Sequence, residues 1–356
     1  MDKIHINLGG DSYDIVIDNG LVNKAGPMIR ELTGATKAAI ITEDGIDKLY
    51  GNDLVKSLEE AGMSVQMIVV PSSKKFRTLR MVSKVYGALV DFGFGSDDLL
   101  IALGGRIVGD ITGFAAATYR RGVRYIQFPT SVLAQIGSSI GGKITLDTDA
   151  GKDIVGTFYQ PKAVYIDPGM AKTLPRRFFH NGLGEAVRLG CVADRELFEL
   201  FEKVTSDMDI YRVLPEIIRR CCIIKAHYVE LDPLSKNERR LLDFGHTIGS
   251  AIERCSRYNN MEITHGEATA IGMYRVTQRS EAEGATVHGT AGRLEYVLKS
   301  LSLPISTAIP NKILLEALKQ DKNLHGDTIP VTIITEIGKG EIRPATLNEI
   351  IGALKD

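Results

Sequence analysis

The chain has 356 residues, of which 44% are hydrophobic and 24% are charged. This composition is typical of a folded protein with a large core and excludes general disorder. The 43 basic and 44 acidic residues give a formal net charge of −1, so we expect no nucleic-acid partner. No apolar run approaches the roughly 18 residues that a membrane helix needs, so we expect no membrane partner either.

The first half of the chain alternates between strand and helix patterns. After an N-terminal hairpin, four short apolar runs predict strands. Helical spacing predicts one helix between each of these strands and the next. The predicted strands are 38–42, 64–70, 99–103 and 125–129, and the predicted helices are 47–61, 78–92 and 107–119. This alternation predicts a Rossmann-like α/β domain whose parallel sheet is covered on both faces. Residues 138–153 are predicted to form a long loop.

The second half of the chain has mostly helical patterns. Pro168 and Pro175 end the alternating region, helical spacing dominates from about residue 177 to 302, and a closing hairpin is predicted at 328–344. We therefore predict an α/β domain over residues 1–174 and a mainly α-helical domain over 175–356. The four cysteines show neither CxxC spacing nor disulfide density, which favours a reducing, cytoplasmic location.

Two glycine-rich segments are candidates for binding an anionic small molecule. In the first, a predicted strand runs through Gly104-Gly105 into a helix, an arrangement that exposes backbone N–H groups to phosphate. The second contains Lys143 and, after it, Gly151-Lys152-Asp153, in which lysines supply positive charge and glycines allow close backbone contact. The alternatives are a tight strand-to-helix turn for the first segment and a solvated surface loop for the second.

Three residues could bind a metal ion. Glu185, His246 and His265 lie in predicted helices among small residues, and two imidazoles with one carboxylate are a common catalytic zinc set. Their spacing matches no short metal motif, so hydrogen-bonded core histidines remain an alternative. Arg239 is interpreted either as a solvated residue or as an anion clamp. Lys225 is interpreted as a surface lysine whose stem covers apolar neighbours.

Taken together, several segments resemble the 3-dehydroquinate synthases of the sugar-phosphate cyclase group. They occur in the family's order and span nearly the whole chain: IALGGRIVGDITGFAAATYRRGVRYIQFPTSVLAQ, SSIGGK, GKDIVGTFYQPKAVYID, TLPRRFFHNGLGEA, LLDFGHTIGSAIE and HGEATAIGM. The resemblance implies a homodimer that uses catalytic NAD and a divalent metal, zinc or cobalt. It implies conversion of the sugar phosphate 3-deoxy-D-arabino-heptulosonate 7-phosphate to 3-dehydroquinate and phosphate, a lyase reaction of the shikimate pathway to aromatic amino acids.

The resemblance also implies roles for individual residues. The metal ligands would be Glu185, His246 and His265. The NAD-binding residues would be Gly104, Gly105, Arg106, Asp110, Thr130, Ser131, Lys143 and Lys152. The substrate-binding residues would be Arg121, Lys143, Asp153, Asp243 and Ser250. The catalytic residues would be Lys143, Arg188, Lys225, Arg239 and Lys322.

Several positions around the implied site depart from the family pattern. Arg106 replaces a glycine, Gly137 an aspartate, Asp153 and Asp243 asparagines, Arg188 a lysine, Ser250 a histidine, and Lys74 an acidic residue. Two interpretations stay open: a working synthase of a divergent branch, or a member that keeps the fold and binds metal and nucleotide with impaired activity. A metal-dependent polyol dehydrogenase, which shares the two-domain plan, is a third, and NAD is not distinguished from NADP.

Overall fold

The computed structural model describes residues 1–149, 151–258, 263–321 and 323–353. Its strands are β1 (Asp2–Ile6), β2 (Tyr13–Ile17), β3 (Lys37–Glu43), β4 (Ser64–Val70), β5 (Leu99–Gly104), β6 (Arg124–Pro129), β7 (Lys143–Thr148), β8 (Gly151–Phe158), β9 (Ala163–Ile166), β10 (Thr328–Glu336) and β11 (Lys339–Thr346). Its helices are α1 (Leu21–Thr33), α2 (Asn52–Glu60), α3 (Leu79–Asp91), α4 (Arg106–Thr118), α5 (Arg176–Ala193), α6 (Arg195–Lys203), α7 (Asp207–Leu231), α8 (His246–Tyr258), α9 (His265–Ala282), α10 (Thr290–Ser300), α11 (Asn311–Leu318) and α12 (Leu347–Gly352).

The chain divides into two compact units. The first contains residues 1–174 and 225–234, and the second contains residues 175–224 and 235–356. Among the described residues, no helix combines the length and the apolar character needed to cross a bilayer.

A seven-stranded sheet forms the centre of the first unit. Its strand order is β1-β2-β9-β6-β5-β3-β4, and every neighbouring pair is parallel except the antiparallel pair β1–β2. Each parallel connection requires a crossover, and helices α1 to α4 supply most of them. The α/β domain predicted from the alternating patterns is confirmed.

Helices cover both faces of this sheet. Because successive side chains of a strand point to opposite faces, Ile40 and Ile101 pack into the cluster that contains Leu54 of α2. Their neighbours Ile41 and Leu100 pack into a second cluster with the apolar residues of α3 and α4. Strand β5 is therefore buried at every position, as a strand covered on both faces must be.

The loop predicted for residues 138–153 is wrong in its second part. Residues 143–148 and 151–158 form the antiparallel strands β7 and β8, with Lys143 opposite Phe158. Ile144 and Leu146 alternate with more exposed residues and are buried, which is the pattern of a strand with one covered face. The lysines and glycines of this segment obscured that short alternation in the sequence.

Close helix packing organises the second unit, where the predicted helical region and closing hairpin β10–β11 are confirmed. A Cβ atom on Gly249 of α8 would lie 3.0 Å from the Thr269 Cα atom of α9. On Gly266 of α9, a Cβ atom would overlap the Asn181 carbonyl oxygen of α5. These glycines allow α5, α8 and α9 to approach at backbone distance, and this packing positions the site described next.

Candidate active site

Three ligand-type side chains converge in the second unit. One ligand atom from each of Glu185, His246 and His265 lies within 4.8 Å of the others. Glu185 lies in the buried middle of α5, whereas His246 and His265 are the first residues of α8 and α9. Thr264 fixes the start of α9 through a reciprocal capping box with Glu267. The three residues proposed from sequence are therefore brought together by three helices.

The protonation and surroundings of His246 fit a divalent cation. Its Nδ1 atom lies 3.2 Å from the Asp243 carboxylate, whereas its Nε2 atom is buried with no hydrogen-bond partner. Burial, together with the positive charge of Arg188, lowers the pKa of His246, although Asp243 acts in the opposite direction. The imidazole is therefore neutral near pH 7, which is the form that binds metal. An unpartnered buried ring nitrogen beside a second imidazole and a carboxylate has the donor chemistry of a zinc or cobalt site.

Arg188 holds the carboxylate of Glu185. These residues lie one turn apart on α5, and both side chains are buried. The Nε atom of Arg188 donates to Glu185 Oε2 at 3.0 Å, and its Nη2 atom donates to the other carboxylate oxygen. A carboxylate has about four acceptor positions, so this two-point contact leaves lone pairs for a cation. The Nη1 atom of Arg188 is buried and has no hydrogen-bond partner.

A second cluster of charges surrounds Arg77 in the first unit. Its guanidinium donates to Asp110 at 2.8 Å, Asp147 at 2.6 Å and Asp153 at 2.8 Å. The first contact reaches helix α4 and the other two reach the β7–β8 hairpin. Arg77 is only 7% exposed, so these contacts are largely shielded from water. Sequence reasoning placed this residue in the same loop as Lys74 but gave it no role of its own.

Two departures from the family pattern, Arg106 and Asp153, are paired with each other. The Arg106 Nη2 atom donates to Asp153 Oδ1 at 3.2 Å, and its Nε atom lies 3.4 Å from Asp110 Oδ2. Although burial acts to raise it, the pKa of Asp153 is lowered to about 2 by Arg106, by a hydrogen bond from Thr145 and by Arg77. The negative charge of Asp153 is therefore compensated within the protein.

Glu43 is a further residue that sequence reasoning missed. It ends strand β3, beside β5, and its Oε1 atom accepts a hydrogen bond from the Gly105 N–H at 3.1 Å. Burial raises the pKa of Glu43, although the Gly105 hydrogen bond acts in the opposite direction. An acidic residue at the carboxyl end of a strand next to the glycine turn is placed where doubly wound folds bind a nucleotide ribose. The position of Glu43 at the end of a strand next to β5 was the signal from which sequence reasoning could have found this residue.

Two of the other predicted nucleotide residues, Thr130 and Ser131, lie close to the turn from β5 into α4. Thr130 is buried, and its N–H donates to the Gly104 carbonyl at 3.1 Å. Ser131 Oγ would lie 3.8 Å from a Cβ atom on Gly105. Lys143 and Lys152 lie on the β7–β8 hairpin, exposed and half-buried respectively.

The remaining predicted residues lie in several environments. Lys225 and Arg239 are 8% and 7% exposed, so the surface interpretations of both were wrong. Arg121 is exposed and has a φ of 70°, and Ser250 lies on α8 one turn after His246. Lys322 lies outside the described residues.

Comparison with known proteins gives a consistent result over nearly the whole chain. Residues 67–181 match the family model for the 3-dehydroquinate synthase N-terminal domain, and residues 182–324 match that for the C-terminal domain. The 3-dehydroquinate synthase of Clostridium acetobutylicum is 42% identical over 339 residues, covering 95% of each chain. The corresponding synthase of Enterococcus faecalis (strain V583) is 38% identical, covering 98% of this chain and 97% of the relative.

A solved structure has the same fold with both cofactors present. The 2-epi-5-epi-valiolone synthase from Streptomyces hygroscopicus, with NAD⁺ and Zn²⁺ bound, has a TM-score of 0.86 and 26% identity, covering 96% of this chain and 95% of that one.

Proposed function

Because the chain belongs to the 3-dehydroquinate synthase family, we propose that it converts 3-deoxy-D-arabino-heptulosonate 7-phosphate to 3-dehydroquinate and phosphate. It does so with NAD as a catalytic cofactor and with a divalent metal, as a lyase of the shikimate pathway. The observation that carries the proposal is the convergence of Glu185, His246 and His265, with the unpartnered Nε2 atom of His246 beside them.

The metal-site residues retain what this reaction needs despite the substitutions around them. Glu185, His246 and His265 would hold the cation, and Arg188 keeps the Glu185 carboxylate in one orientation. When bound, NAD accepts and returns a hydride, and the cation supplies Lewis acidity to an oxygen of the substrate.

The anion-binding residues complete the proposed machinery. In the first unit, Gly104 and Gly105 leave the start of α4 without a side-chain cap, so backbone N–H groups are available to the dinucleotide. Lys143 and Lys152 offer positive charge to phosphate. The family resemblance assigns catalytic roles to Lys225 and to Arg239, and both side chains are buried.

A phosphate-release assay tests this function directly. Purified protein supplied with NAD, zinc and the seven-carbon sugar phosphate is expected to release phosphate without net accumulation of NADH. His246→Ala should lower the rate at least about 100-fold, because it removes a metal ligand. The matched control is His288→Ala, which removes a fully exposed imidazole on the surface of the second unit and should leave the rate unchanged.

Two other outcomes separate the alternative interpretations. Binding of zinc and NAD without phosphate release would identify an impaired family member. Absence of both binding and release would overturn the proposal.

The family resemblance extends the proposal to a cytoplasmic homodimer that acts on a small sugar phosphate. Light scattering after size-exclusion chromatography measures the first property, and twice the mass of one chain is the expected result. A monomer that is fully active would contradict the dimer proposal.

A further inference from the structure

The carboxylate of Glu253 contacts His265, the second histidine of the metal set. The Glu253 Oε1 atom lies 2.6 Å from His265 Nδ1, and both side chains are largely buried. A carboxylate at Nδ1 favours the tautomer in which Nδ1 carries the proton and donates, because an ionised carboxylate only accepts hydrogen bonds. In that tautomer Nε2 is unprotonated, and its lone pair is left for a cation.

The helix geometry explains how Glu253 reaches the second histidine. Glu253 lies seven residues, or two helical turns, after His246, so both side chains project from the same face of α8. Gly249 lies on that face between them, and its missing side chain allows the backbone of α9 to approach at Thr269. Helix α8 therefore supplies one ligand, His246, and also the partner of the other ligand, His265.

His246 has an equivalent but weaker partner. Asp243 Oδ1 lies 3.2 Å from His246 Nδ1, and the Asp243 side chain is 54% exposed. Both imidazoles thus have a carboxylate at Nδ1, and their ring centroids lie 5.1 Å apart. The shorter and better shielded contact of Glu253 should dominate, since a charged hydrogen bond weakens when water competes for it.

We infer that Glu253 is a positioning residue that fixes the tautomer and ring orientation of His265 for metal binding, and that Asp243 does the same, more weakly, for His246. This inference rests on the proposed function only in requiring that the three ligands bind a cation. Carboxylates in this position raise the basicity of a ligating imidazole, and their loss lowers metal affinity by about 10- to 100-fold.

Metal affinity measured by chelator competition tests the inference without any turnover. Zinc affinity should fall about 10- to 100-fold in Glu253→Ala and by a smaller factor in Glu253→Gln, because the amide oxygen still accepts from Nδ1 without the charge. Asp243→Ala should lower affinity less than Glu253→Ala. The matched control is Glu316→Gln, which changes an exposed glutamate paired with Lys319 and should leave affinity unchanged.

A cobalt spectrum separates positioning from a general structural role. The visible absorption of the Co²⁺-loaded protein reports ligand geometry, and it should change in Glu253→Ala and recover partly in Glu253→Gln. Wild-type affinity and spectrum in both Glu253 variants would overturn the inference while leaving the proposed function intact. A wild-type chain that binds neither zinc nor cobalt would overturn both.

Discussion

Gly266 is the position where a single methyl group should most directly disturb the metal site. It is the second residue of α9, directly after His265, and its N–H donates to Asn181 Oδ1 of α5 at 2.6 Å. A Cβ atom at this position would come well inside 3.0 Å of the Asn181 backbone carbonyl. Neither atom belongs to a flexible side chain, so one of the two helices must move to accommodate Gly266→Ala.

The expected magnitude follows from two opposing effects. Replacing a helical glycine with alanine stabilises a helix by about 1 kcal/mol. Overpacking against backbone costs about 1–3 kcal/mol, and occasionally more. Since a carbonyl oxygen cannot rotate away, we expect the cost to lie at the upper end of that range. Gly266→Ala should therefore lower the free energy of unfolding by about 1–2 kcal/mol.

The matched control is Gly292→Ala in α10. A Cβ atom on Gly292 meets nothing within 4 Å, and its φ is not in the left-handed region. Only the propensity effect then applies, so this variant should be more stable than wild type by about 0.5–1 kcal/mol. The two substitutions are chemically identical, yet they should change stability in opposite directions.

Urea unfolding and zinc competition together measure the result. Gly266→Ala should unfold at lower urea concentration and bind zinc more weakly, because any shift of α9 displaces His265. Gly292→Ala should unfold at higher urea concentration and bind zinc as wild type does. If Gly266→Ala matched Gly292→Ala in stability, the close approach of α5 and α9 would be refuted.

Two further predictions concern the charge cluster around Arg77. Arg77→Met should lower the free energy of unfolding by about 3–5 kcal/mol, because it leaves the buried Asp110 carboxylate without its closest cation. The control, Arg212→Met, removes an exposed ion pair and should lower the free energy of unfolding by less than about 1 kcal/mol. Equal urea midpoints for the two variants would contradict this prediction. The pKa of Asp153 is lowered to about 2, so the stability this carboxylate contributes is present above about pH 4 and is lost as the pH falls towards 2. Because the Asp153 side chain is 38% exposed, we expect its ion pairs to contribute about 1 kcal/mol to the free energy of unfolding. Asp153→Asn should therefore be less stable than wild type by that amount at pH 6 and equally stable near pH 2. A stability difference that did not vary with pH would contradict the pairing.

Local pattern determined most of the first unit from sequence alone. Short apolar runs and helical stripes located its strands and helices, because the burial of one face imposes a period that a few neighbouring residues reveal. The same reasoning failed for the β7–β8 hairpin, where Ile144 and Leu146 were too few to establish a period among lysines and glycines.

The metal ligands illustrate the limit of spacing as a signal. Glu185, His246 and His265 were proposed as a set from their ligand chemistry, and resemblance to a family was needed to favour this over core histidines, since their separations along the chain match no short motif. Their convergence depends on how closely α5, α8 and α9 pack, and that closeness depends on glycines on the facing sides of the helices.

Charge pairing between distant residues was decided only by tertiary structure. Sequence reasoning treated Arg106 and Asp153 as separate departures, and it gave Arg77 and Glu253 no role of their own. Their roles come from partners that lie between 12 and 76 residues away along the chain, and the strength of each pair depends on burial. Sequence records which charges exist, but only the folded chain brings opposite charges within hydrogen-bond distance and removes the water that would weaken their attraction.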